Sequence, residues 1–132
     1  MGGHKTLFDD CIGNWYMRLG DCLFMVSVVD LADVMGSLEA AWSPVDVAGV
    51  NDQRVRAALF HGEYHWHKHD EEDELFFVYS GSIRIQVRDE ATVELNEGQL
   101  CVIPKGVWHK PESPEPSVVL LFEPSALKSR GD

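Results

Sequence analysis

The chain has 132 residues and carries 11 Lys and Arg against 22 Asp and Glu, a formal net charge of −11. That length holds one core, and 45% hydrophobic with 25% charged residues is a globular composition that excludes wholesale disorder, collagen-like structure and a disulfide-packed miniprotein. The acidic surplus repels phosphate backbones, and the basic residues Arg54, Arg56, Arg84, Arg88, Lys105 and Lys110 are scattered, so no nucleic-acid partner is expected.

Residues 1–25 show no clean period, and Gly2, Gly3, Gly13 and Gly20 interrupt any helix drawn there. They are read as an N-terminal extension, with residues 26–132 as a single domain. The extension's options are an added edge strand, a dimer-contacting arm, or sequence upstream of an alternative start at Met25. Asp9 and Asp10 stand where the apolar part of a secretory signal would lie, so the expected compartment is the cytoplasm. The greasiest run, Leu23 to Val29, ends at Asp30, far short of the roughly 18 apolar residues of a membrane span, so no membrane role is expected. Cys11, Cys22 and Cys101 form neither a C-x-x-C pair nor an even disulfide framework, and read as reduced thiols.

Residues 30–42 predict a short helix, with Asp30 as N-cap, Leu31, Val34, Met35, Leu38 and Trp42 on one core-packing face, and Pro44 as its stop. From residue 53 the period switches to two. Short strands are predicted at 53–60, 63–69, 74–80, 82–88, 91–95, 99–103 and 117–123, separated by Gly, Pro and acidic turns. With no helix between them they imply an all-β sandwich or barrel. In 82–88, Ile83, Ile85 and Val87 face one way and polar residues the other. In 74–79 neither face is polar: Glu74, Phe76 and Val78 share one side, Leu75, Phe77 and Tyr79 the opposite one. A barrel interior covers only one of those faces, so the other must meet the N-terminal segment or a second subunit; a homodimer is expected.

Four of the six histidines lie in His61-Gly62-Glu63-Tyr64-His65-Trp66-His67-Lys68-His69. Residues two apart in a strand point the same way, about 6–7 Å apart, so His67 and His69 present two imidazoles to one metal, with His65 one step earlier on that face. Asp70-Glu71-Glu72-Asp73-Glu74 is too acidic to bury whole. Asp70 to Asp73 read as a solvated loop, with Asp73 making a local structural hydrogen bond, while Glu74 opens an apolar strand and reaches the histidines from it. His109, just past the turn holding Pro104 and Gly106, is a candidate third imidazole. Three nitrogens and one carboxylate oxygen suit a first-row divalent ion and leave coordination positions free.

Gly62, four residues, His67-Lys68-His69, four residues, Glu74, six residues and Gly81 resemble the first motif of the cupins, whose usual form has five residues after the first glycine. Gly98, five residues, Pro104-Lys105-Gly106, two residues and His109 resemble the second motif, with Ser113 where the family form has asparagine. The resemblance runs from about residue 30 to 124 and includes Trp42-Ser43-Pro44. It implies a jelly-roll β-barrel, or double-stranded β-helix, in which His67, His69, Glu74 and His109 converge on a divalent metal such as Fe, Mn, Ni or Zn. It also implies pocket walls at His65, Phe76, Val78 and Phe122. His65 then either acts as general base or orients substrate, or is simply bonded to backbone at the barrel mouth. The fold names no reaction. A small-molecule substrate at the metal, with dioxygenase-like oxidoreductase chemistry, stands first. A non-enzymatic metal-dependent binding or sensing module, a metal-dependent isomerase and a barrel held together by a structural metal are the alternatives. Arg56 and Lys105 are candidates for fixing a substrate carboxylate, on faces the sequence leaves open.

Overall fold

A computed structural model describes residues 26–132; the expected extension at 1–25, with Cys11 and Cys22, lies outside the described residues. Asp30 caps the first element as expected, its carboxylate accepting the Ala32 N–H at 2.9 Å. The helix, α1, is Leu31–Ser37 and does not reach Trp42. Gly36 and Ser37 are poor helix formers at its last turn, and Leu38 is already extended. The chain is then drawn to the sheet: the Trp42 N–H donates to the Leu59 carbonyl at 2.9 Å, with Trp42 at φ 59°. No residue of α1 is buried, so its apolar stripe is not part of the core; Leu31, Val34 and Met35 are half-buried.

Seven strands follow: β1 Val45–Val50, β2 Gln53–Glu63, β3 Glu74–Ser80, β4 Ser82–Val87, β5 Val93–Asn96, β6 Leu100–Ile103 and β7 His109–Pro124. All pair antiparallel, in the order β1-β2-β7-β3-β6, with β4 pairing both β5 and β7. The result is the expected all-β jelly roll. Its organising element is β7, whose His109–Glu112 half pairs with β4 and whose Val118–Phe122 stretch pairs with β3. Exposed Pro114, Glu115 and Pro116 mark the bend between them.

Gly81 alone joins β3 to β4, at φ 88°, and packs against that bend. There the Ser82 N–H and the Ser113 hydroxyl donate to Ser117 Oγ at 3.0 and 2.9 Å, and the Ser117 hydroxyl donates to the Ser82 carbonyl at 2.9 Å. Ser113, standing where the motif has asparagine, is thus a buried member of this corner.

The core is the inward row Ala58, Phe60, Phe76, Val78, Ile83, Ile85, Val87, Leu95, Ile103, Val119 and Leu121. The parity read for β3 and β4 holds. On the outer face, Leu75 stands opposite Val102 and Phe122, and Phe77 opposite Leu100 and Leu120. Leu100, Val102 and Phe122 are exposed, an apolar surface running across β6, β3 and β7. Cys101 is a free, half-buried thiol whose pKa burial pushes up. Among the described residues no helix is long and apolar enough to cross a membrane.

Two expectations are corrected. The segment 63–69 is not a strand: β2 ends at Glu63, and His67 makes only an isolated bridge to His109. Residues 45–50 and 109–116 are strand where none was predicted.

The Gly81 corner sets a measurable expectation. A Cβ there would overlap the Ser117 side chain and force a left-handed backbone on a non-glycine residue. Gly81→Ala should therefore cost about 2 kcal/mol or more in chemical denaturation, whereas Gly98→Ala, also at positive φ but with open space around it, should cost less.

Candidate metal centre

Three short devices bring the ligating side chains together. The first is the bridge, in which the His67 N–H donates to the His109 carbonyl at 3.0 Å and the His109 N–H to the His67 carbonyl at 2.9 Å. The second is parity: Glu74 begins β3 on the inward face shared with Phe76 and Val78. The third is the Pro104–Gly106 turn, where the Gly106 N–H donates to the His69 carbonyl at 2.7 Å and the Lys105 N–H to Asp73 Oδ1 at 2.9 Å. Asp73 makes a structural hydrogen bond, though to distant Lys105 rather than the local one expected, while Asp70 and Glu71 are exposed.

His67, His69, Glu74 and His109 are all buried, and one ligand atom from each lies within 4.8 Å of every other. Glu74 Oε2 is 3.1 Å from His69 Nε2 and 3.3 Å from His109 Nε2. His67 Nδ1 stands 3.0 Å from the His65 carbonyl and His109 Nδ1 2.9 Å from the Val107 carbonyl. A carbonyl only accepts, so both Nδ1 atoms carry a proton and both rings turn Nε2 inward as the atom that can ligate.

Those bonds test whether the residues fit a metal. With its Nδ1 bonded to a carbonyl, His109 turns Nε2 to the Glu74 carboxylate oxygen, a contact that is favourable only with a proton or a cation between the two atoms. His69 Nδ1 is buried without a partner, so the protein alone does not satisfy the cluster. Three imidazoles and one carboxylate are a donor set for a first-row divalent ion. The residues fit.

Protonation follows the same geometry. Burial alone would raise Glu74, but the bonds from His109 and His69 outweigh it and hold the carboxyl at about 2. Burial lowers His67 to about 4, against the pull of its bond to the His65 carbonyl, so its ring is neutral at pH 7. Burial also works against a charge on His69, yet the bond and charge of Glu74 prevail and raise it.

A narrow cleft opens onto this group, with apolar walls from Trp42, Phe60, Phe76 and Leu121 and with His67, Glu74 and Ser129 also on its lining. Phe76 lines it as expected; Val78 does not, lying wholly in the core. Phe122 does not line it: inward parity on β7 falls on Val119, Leu121 and Glu123, leaving Phe122 on the outer face at 43% exposure. His65 is not on the cleft lining as expected: it is exposed, its Nε2–H donating to the Arg130 carbonyl at 2.8 Å and its ring 4.0 Å from that of Tyr64. Lys105 is exposed, whereas Arg56 pairs with Glu123 at 2.7 Å and Asp46 at 3.0 Å.

Sequence reasoning missed Glu123, Tyr64 and Ser129. Glu123 is buried, and burial together with the Glu74 charge pushes it up to about 7 although Arg56 opposes that. Its signal was a lone acid ending an apolar strand, with arginines of like parity on β2.

A scan against family models matches the cupin domain over residues 60–123. The uncharacterized protein YdbB of Bacillus subtilis (strain 168) is 34% identical over 99 residues, 75% of this chain and 88% of that protein. The crystal structure of a cupin-2 domain containing protein from Shewanella frigidimarina NCIMB 400 superposes with a TM-score of 0.71 at 36% identity, over 74% of this chain and 94% of that one. Hydroquinone 1,2-dioxygenase from Sphingomonas sp. TTNP3, solved with 4-hydroxybenzoate bound, shares the fold with a TM-score of 0.70 at 23% identity, over 76% of this chain and 33% of that one. The chain belongs to the cupin superfamily, in its small cupin-2 form.

The raised His69 gives a pH dependence whose sign can be worked out. A protonated imidazole has no lone pair for a metal, and His69 keeps its proton to a higher pH than the ordinary 6.5. Raising the pH through that region removes the competitor, so apparent metal affinity should rise with pH, and binding below it should release the His69 proton. Titration calorimetry in two buffers of different ionisation enthalpy measures that proton.

Proposed function

We propose that the protein is a metal-dependent enzyme that holds a first-row divalent ion, Fe, Mn, Ni or Zn, on His67, His69, Glu74 and His109 and acts on a small oxygenated molecule in the adjoining cleft. The reaction class we assign first is a dioxygenase-like oxidation. The observation that supports it is access: the ligand cluster is buried, yet His67 and Glu74 lie on the lining of the cleft. A purely structural ion is usually closed off by four protein ligands in a tetrahedron, whereas iron, manganese or nickel with these four donors keeps positions for a substrate oxygen or dioxygen.

The metal, when bound, supplies dioxygen activation or Lewis acidity. The chain's own residues bind and orient: Trp42, Phe60, Phe76 and Leu121 exclude water from one side of the cleft, and Glu74 and the three imidazoles hold the ion. The Sphingomonas dioxygenase, which shares the fold over 33% of its own chain, was solved with 4-hydroxybenzoate bound, and that suits this reading at the level of the fold.

Metal analysis of chelator-free protein tests the site. About one ion per chain is expected in the wild type, lost in His67→Ala and Glu74→Ala while both keep the β-rich circular dichroism spectrum. Oxygen uptake with phenols and hydroxy acids then tests the reaction. Turnover abolished in His67→Ala supports it; saturable ligand binding without turnover points to a binding module. No ion bound after reconstitution with excess Fe(II), Mn(II), Ni(II) and Zn(II) overturns the reading.

We also propose that two copies pair through the outer face of β6, β3 and β7, where Leu100, Val102 and Phe122 are exposed. Light scattering at micromolar concentration should give twice the mass of one chain. Val102→Lys with Phe122→Glu should halve it, and a monomeric wild type would refute the pairing.

A further inference from the structure

After β7 the chain turns back over the segment that carries two of the four ligands. The Ser125 N–H donates to the Asp52 carbonyl at 2.8 Å, and Leu127 is the last buried apolar residue. Residues 128–132 then lie along Tyr64–Asp70. The Tyr64 hydroxyl donates to the Ser129 carbonyl at 3.3 Å, and His65 Nε2–H to the Arg130 carbonyl at 2.8 Å. The Asp132 N–H donates to the Lys68 carbonyl at 3.0 Å, and the Asp70 N–H to Asp132 Oδ2 at 2.8 Å. Gly131, at φ 89°, sits against His67 so closely that a Cβ would come within 2.7 Å of the His67 Cβ and 2.9 Å of the Lys68 carbonyl oxygen.

The anchoring points at 64, 65, 68 and 70 bracket both His67 and His69. That segment belongs to no strand, and its other backbone ties are the bridge to His109, the Gly106 bond to His69 and a bond from the Tyr64 N–H to the Pro111 carbonyl. Ser129 is also part of the cleft lining. The strap adds nothing to the core cluster, and Lys128, Arg130 and Asp132 are exposed. Such a segment opens more readily than the sheet it rests on.

We propose that residues 128–132 form a clasp on the metal centre: they hold the segment bearing His67 and His69 in ligating position, close one side of the cleft, and so set how fast the ion leaves. His65 is then an anchor of this clasp, a positioning residue that acts through Arg130. The clasp rests on the metal reading given above.

Release of Zn(II) from the loaded 132-residue chain into excess colorimetric chelator tests it. A chain ending at Leu127 and the Gly131→Ala variant should each release the ion at least tenfold faster than wild type. Tyr64→Phe and Asp132→Ala, which each remove one anchor, should show smaller increases. Thermal unfolding of the metal-free truncated chain should stay close to that of wild type. The truncation separates loss of the clasp from a direct push on His67, which Gly131→Ala also delivers. Release at the wild-type rate from the truncated chain overturns the clasp and leaves the metal site standing, and a rise that only follows a large loss of metal-free stability overturns it too. A wild type that takes up no Zn(II) overturns the reading on which the clasp rests, and the clasp with it.

Discussion

The constraint on which the rest depends is a carboxylate kept inside the barrel. Glu74 is 4% exposed, and removing a carboxylate from water without compensation costs several kcal/mol. Compensation here has to come from imidazole or from a cation held by imidazole. Two of the three rings have their tautomer set by backbone carbonyls, so the arrangement is built for lone pairs to face inward. Breaking one partner in such a group leaves the others buried and unsatisfied, which is why the backbone is specified so closely around it.

Much of that specification comes from β7. Its bend lets one strand serve two sheets, with His109 at its start and Leu121 and Glu123 near its end. The start is fixed by the bridge to His67, the end by pairing with β2 and β3, and the middle by the Ser113 and Ser117 hydroxyls, which bond each other and the Ser82 backbone against Gly81. A shift of one residue in either half would turn the inward residues outward, because the side-chain period is two. The corner therefore matters to the site although none of its hydroxyls touches a ligand.

The sequence carried the site more fully than it carried the strands. His67, His69, Glu74 and His109 were legible because two-residue alternation and turn chemistry are local, and each ligand needs only the correct face. The strand at 45–50 was not: its alternation is broken by Gly49 and by a register shift between Asp46 and Ala48, and its turn is the weak signal Asn51-Asp52. Residues 109–116 were hidden by Pro111, Pro114 and Pro116, which argue against a strand until the bend is seen. The segment 63–69 erred the other way. Its alternation places His67 and His69 on one side, but its geometry comes from single bonds to distant residues, His109, Gly106 and 129–132. Phe122 failed because hydrophobicity was taken for inwardness on a strand that is apolar on both sides.

The charge balance of the proposed centre bears on what it would accept. One carboxylate and three neutral imidazoles around a divalent ion leave a net positive charge of about one, in an enclosed region where such a charge is screened little by salt. Beside it, Arg54 and Arg56 pair with Asp46 and Arg56 also with Glu123, so that neighbouring group of two arginines and two carboxylates comes close to balance within itself. The strongest uncompensated attraction in the cleft would then come from the ion, which favours an anionic or strongly polarised oxygen as its ligand. The surface works in the opposite sense, because a chain with a net charge of −11 repels anions at long range. Selection of an oxygen donor at this site would therefore rest on short-range coordination at the bottom of the cleft rather than on electrostatic capture from solution.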